Sequence, residues 1–218
     1  MKIRIEQQVG VILLLVVNIA TGQTNPGTGV AGTVHDARVY FVSDQVCIQC
    51  HAPHNTGTER PLWNHAMSTA NYTLYGSSTM NAASGQPGPM SKLCLSCHDG
   101  TVGISDYGGS PVGPGGIRFG RGDKAYIATD LRNDHPVGIA YDTALATSDR
   151  GLADPATKSV TIGTVKSRTG TIASMMLYDG KVECPSCHDV HNIYTAGNKG
   201  LVKVGLTGSS LCLQCHTK

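Results

Sequence analysis

Four pentapeptides carry almost all of the chain's chemistry: Cys47-Ile-Gln-Cys50-His51, Cys94-Leu-Ser-Cys97-His98, Cys184-Pro-Ser-Cys187-His188 and Cys212-Leu-Gln-Cys215-His216. They use all eight cysteines, and a histidine follows the second cysteine of every pair. Two thiols three positions apart on one turn of chain can add to the two vinyl groups on one edge of a porphyrin. The next imidazole then faces the iron from the same side. This is the order of covalent c-type haem attachment. It predicts four haem c groups, held by Cys47, Cys50, Cys94, Cys97, Cys184, Cys187, Cys212 and Cys215. His51, His98, His188 and His216 are the expected proximal iron ligands.

Competing chemistries explain less. A disulfide framework gives the adjacent histidines no role, and a zinc ribbon would leave them idle. A thioredoxin-like motif would occur once, in a βαβ unit that the sequence lacks.

Five histidines remain: His35, His54, His65, His135 and His191. Four six-coordinate irons need four of them, and the placement repeats. Each half reads as a histidine, a motif with a second histidine three residues on, and a plain motif. His54 and His191 lie on the proximal side of their own haems, so each is expected to reach the other haem of its half. That assigns His54 to the haem at Cys94/Cys97 and His191 to the haem at Cys212/Cys215. By elimination His35 and His135 serve the haems at Cys47/Cys50 and Cys184/Cys187, in either order. His65 falls outside the repeat and is the expected spare. Met67, Met80, Met90, Met175 and Met176 could ligate iron, but as gap-fillers they are expected to pack instead.

An iron with two axial histidines has no open position for a substrate. The expectation is therefore an electron carrier with no catalytic residue, at low potential because no methionine ligand raises it. The rival class, a multihaem reductase, needs a five-coordinate iron and often an altered attachment motif. No Cys-x-x-Cys-Lys is present.

The elements that position these motifs should be modest. Of 218 residues 27 are glycine, above the usual ~7%, and charged residues make up 15% against a usual ~25%. With one Trp and two Phe, a large side-chain core is excluded. The expected fold class is mostly irregular coil with short α-helices and a small β-hairpin patch, organised around a column of four haems. Short helices are expected at Ser43–His51, Ser91–His98 and Ser209–His216, with Ser91 and Ser209 as N-caps. Residues 157–183 suggest one or two hairpins, with a turn at Asp179-Gly180, placed outside the haem column.

Lys2 and Arg4 precede an apolar run from Val9 to Ala20, the pattern of a signal peptide cleaved after Gly22. The expected organisation is then a loose arm at 23–34, a first haem-pair half at 35–110, and a second at 111–218 with a β-rich insertion at about 140–183. The mature chain is expected to be exported, with no membrane span. A net charge of +2 offers no field for nucleic acid. Asn71-Tyr-Thr73 is an acceptor-like glycosylation pattern, expected to stay unmodified.

The phrases Cys47-Ile-Gln-Cys-His-Ala-Pro-His-Asn55, Pro61-Leu-Trp-Asn64, Leu93-Cys-Leu-Ser-Cys-His-Asp-Gly100, Asp134-His-Pro-Val-Gly138 and Asp179-Gly-Lys-Val-Glu-Cys-Pro-Ser-Cys-His-Asp-Val-His-Asn192 resemble the doubled-CxxCH multihaem cytochromes. Four haems in roughly 200 exported residues is further similar to the OmcE-type extracellular cytochrome filaments. The resemblance implies identical subunits polymerised head to tail, with one distal histidine donated across the interface; His35 is the residue chosen for it. Other implied partners are redox proteins or extracellular electron acceptors. A soluble periplasmic shuttle is the alternative. Histidines and motifs near both ends of the sequence suit end-to-end continuation.

Overall fold

A computed structural model describes residues 25–39, 44–52, 54, 62–108, 116–197 and 200–217. The expected signal peptide lies outside the described residues. Most of the described chain is turn and coil, with four short helices and two two-stranded antiparallel sheets.

The longest element is α1, Pro89–His98. Pro89 at its first position has the fixed φ a helix start needs, and Gly88, not Ser91, is the N-cap. Ser91 sits one turn in, fully buried with Leu95 and Ser96. The helix stops at Asp99, and Gly100 follows at φ +75°, its N–H bonded to the Cys97 carbonyl. A left-handed residue there is the ordinary helix terminator, and glycine adopts it without Cβ strain. A Cβ at Gly100 would also meet the Phe119 carbonyl at 2.5 Å.

The β-rich segment forms around a short strand, β1 (Ile139–Ala140), and a helix, α2 (Thr143–Asp149). Asp142 caps α2 by accepting from Leu145 N–H at 2.8 Å. Strands β2 (Ser159–Ile162) and β3 (Arg168–Thr171) pair as the expected hairpin, and α3 (Ile172–Met175) follows directly. Val160 and Ile162 alternate inward along β2 while Ser159 and Thr161 face out, the period-two pattern of a half-buried strand. Asp179 and Gly180 both have positive φ, the geometry of a tight type I′ turn. The turn returns the chain into β4 (Lys181–Val182), which pairs with β1. Immediately after comes α4, Cys184–Cys187. In place of one helix over Ser209–His216, two 3-10 turns form, Thr207–Ser209 and Cys212–Gln214. Ser209 lies at φ +58° inside that segment and caps nothing.

Side-chain cores are small, as the composition requires. One comprises Tyr141, Ala146, Val160, Ile162, Ile172 and Met176; the other comprises Tyr72, Leu95 and Leu131. Burying a side chain such as Ile172 contributes about 1.5–3 kcal/mol. The larger core is not peripheral to the motifs, contrary to expectation: Leu211 and Cys215 of the fourth motif pack against it. Nor does the arm dangle. Asn192, fully buried, donates to the Asn25 and Gly29 carbonyls at 2.7 and 3.1 Å. Asp36 fastens the arm's end through Gly32 N–H and both Arg38 guanidinium donors. Among the described residues no helix is long and apolar enough to cross a membrane.

Candidate metal centre

Each motif is a single turn, closed in the same way. The histidine N–H donates to the carbonyl of the first cysteine at 2.9 Å for His51 and His216 and 3.1 Å for His188. The remaining motif, Cys94–His98, is the last turn of α1. Around these turns the chain supplies clamps. Asn64 Nδ2 donates to the Ile48 carbonyl at 2.8 Å, and Lys203 N–H to the Cys187 carbonyl at the same distance. An aspartate follows the histidine in two motifs. Asp99 accepts from Tyr72 and Thr101, while Asp189 accepts from Ile193 and Tyr194 N–H groups.

Three motif histidines face a second histidine from elsewhere in the chain. His98 stands 6.0 Å from His35, His51 6.1 Å from His191, and His216 6.4 Å from His135, between ring centroids. An imidazole nitrogen binds a first-row metal at about 2 Å and lies about 1 Å from its ring centroid, so two imidazoles holding one iron between them would sit about 6 Å apart. The residues present therefore fit a metal held between paired imidazoles. The other ring nitrogens agree. Nδ1 of His98 lies 2.7 Å from the Ala125 carbonyl, that of His188 2.5 Å from Gly200, and that of His135 3.0 Å from Pro136. Donation from Nδ1 leaves Nε2 as the lone pair for a metal, the usual outer-shell device for ligand histidines. Burial pushes His35 down to about 4, keeping its ring neutral as a ligand must be.

The sulfurs also suit an uncharged thioether. Burial raises Cys50 to about 11, Cys97 to about 12 and Cys215 to about 11. All eight cysteines are free of disulfides. Among the described residues no cluster of three or more His, Cys, Asp or Glu side chains is placed to hold a bare ion.

The motifs adjoin one another in sequence order. Cys50 is near enough to Cys97 for its charge to be felt there. Cys94 and Cys184 share a hydrogen bond, and Cys187 neighbours both Cys212 and Cys215.

The imidazole neighbours in the fold are not the pairs that spacing expects to share a haem. His35 faces His98, where His54 was expected. His191 faces His51 in the other half, not His216, and His135 faces His216. Sequence spacing says only that His54 and His191 lie on the proximal side of their own motifs; which ring they meet depends on how the halves dock. The docking is interleaved: the arm with His35 lies on Asn192, next to His191. His54, exposed, and His188 stand outside the three pairs. His65, the expected spare, is buried, with Nε2 3.3 Å from Cys97 Sγ and Nδ1 2.8 Å from the Ala66 carbonyl. Met176 is packed in the larger core. Several buried charges escaped sequence reading, Glu183 and Lys203 among them. Glu183 caps α4, and Lys203 bonds Tyr178 OH and the Met175 carbonyl. A charge next to a motif ordinarily reads as surface, and only tertiary packing buries it.

Residues 178–218 match the family model of the doubled CXXCH motif. The match covers the third and fourth motifs. It supports a multihaem c-type cytochrome in electron transfer, with haem c bound covalently. No curated protein matches the chain.

Proposed function

We propose that the protein is a tetrahaem c-type cytochrome that conducts electrons as the repeating subunit of an extracellular filament. The observation that carries the electron-transfer reading is the set of three imidazole pairs at 6.0, 6.1 and 6.4 Å. When bound, the haems supply one-electron exchange between Fe(III) and Fe(II). Everything else is the work of the chain. The eight cysteines would tether the groups, and the three histidine pairs would hold three of the irons without leaving room for a substrate. The protein is on this reading a carrier and not an enzyme. The hydrogen bond between Cys94 and Cys184, and the proximity of Cys50 to Cys97 and of Cys187 to Cys212, bring successive attachment edges near one another, which favours a relay in motif order.

The filament reading draws on the resemblance and on two of the three histidines left outside the pairs, His65 being buried beside Cys97. His54 and His188 are both exposed. His35 faces His98 of its own chain, which favours His54 over His35 as the donated ligand, reaching His188 of the next subunit. A soluble shuttle would instead need a histidine of the same chain to serve His188. Negative-stain images of native protein test the choice. Filaments are expected, with dispersed particles for His54→Ala; wild-type particles dispersed at every concentration would contradict the filament.

A further inference from the structure

Glu183 is 3% exposed and sits between the second and third motifs. Its backbone N–H donates to Ser186 Oγ at 2.9 Å, closing the first turn of α4. Its side chain reaches across to α1. There Oε2 accepts from Ser91 N–H at 3.2 Å and from the Ser91 hydroxyl. Ser91 Oγ in turn accepts from Cys184 N–H at 2.9 Å. The Oε1 atom lies so close to Gly88 that a Cβ on that residue would meet it at 2.0 Å, so the N-cap glycine makes room for the carboxylate. One side chain thus ties together the two helices that carry Cys94 and Cys184, whose thiols are themselves in contact.

The setting suits a negative charge on the carboxylate. The side-chain bonds described are ones in which it accepts, and it stands at the N-terminus of α1, where the helix favours negative charge. Among the described residues no cation pairs with it. Lys203, the buried cation beside Cys187, is bonded to Met175 and Tyr178 instead. A buried, unpaired negative charge next to an iron site favours Fe(III) over Fe(II), because net charge and burial are among the levers that set haem potential.

We propose that Glu183 is a positioning and redox-setting residue, a fixed negative charge that holds the potentials of the second and third haems low while locking their attachment helices together. The proposal rests on the tetrahaem reading. Each iron exchanges one electron with an electrode through mediators, Fe(III) becoming Fe(II), with no bond made or broken.

The test is potentiometric titration of the holoprotein, followed by haem absorbance, for wild type, Glu183→Gln and Ser91→Ala. Glu183→Gln removes the charge at nearly constant shape. Two of the four midpoints are expected to rise, by roughly a tenfold fall in the Fe(III)/Fe(II) ratio at fixed potential, 59 mV for one electron. Ser91→Ala keeps the charge but removes a hydrogen-bond donor that disperses it, so the same two midpoints are expected to fall. A purely mechanical tie would move both variants the same way. If Glu183→Gln does not retain haem, Ser91→Ala alone decides: a fall supports the proposal, and no change or a rise overturns it. Four haems with unmoved potentials in Glu183→Gln would sink this proposal only. A wild-type chain without covalent haem would sink the tetrahaem reading and this proposal with it.

Discussion

At the scale of single residues, the four Cys-x-x-Cys-His turns were legible because one turn of chain contains all their geometry. The distal partners were not, because nothing in local spacing says which ring the His35 arm or the His191 loop will meet. The pairing of His35 with His98 makes a sharp prediction. His35→Ala should turn one haem in four high-spin and open it to carbon monoxide, while wild type binds no more than a trace; visible spectra of the reduced protein with and without the gas check both. Asp36, two side-chain bonds from Arg38 and one from Gly32, has its carboxyl held well below the usual carboxylate range, chiefly by the Arg38 hydrogen bond. Its folded form therefore binds fewer protons than its unfolded form. The stabilisation it gives is complete above the ordinary carboxylate pKa of about 3.9 and is lost as pH falls below it. Acid titration should release His35 in that range, seen as growing high-spin absorbance, and Asp36→Asn should show the same change at neutral pH.

Among the elements, the β2–β3 hairpin and the Asp179-Gly180 turn followed from alternation and turn chemistry that act within a few residues. The N-caps did not. Serine is a favoured cap in isolation, yet Ser91 is drawn inward because Glu183, 92 positions away, offers it a buried partner. The end of α1 is a place where conformation alone should control stability. Gly100→Ala forces a Cβ into a left-handed position against the Phe119 carbonyl, at a cost of about 1–3 kcal/mol. Thermal denaturation of the haem-loaded protein should show the lowered Tm, with the haem count unchanged. The interleaving of halves, which sequence repetition presented as two separate pairs, comes from Asn192 gripping residues 25–29 and from the Cys94–Cys184 contact.

For the whole molecule, a glycine-rich chain poor in aromatics raised the question of what fills its interior. The two cores are small, and one rests on the fourth motif's Cys215. On the tetrahaem reading, porphyrins supply the missing apolar bulk between elements too short to bury much themselves. Protein expressed without haem attachment should accordingly show no cooperative unfolding transition by circular dichroism. The central claim, four covalent haems on four motifs, is tested most directly by the intact mass of the native chain, read beside a haem stain under denaturing conditions. The expected mass is that of the processed polypeptide plus four haems, all retained in the stained band. A mass equal to the bare polypeptide, with no stain, would contradict it.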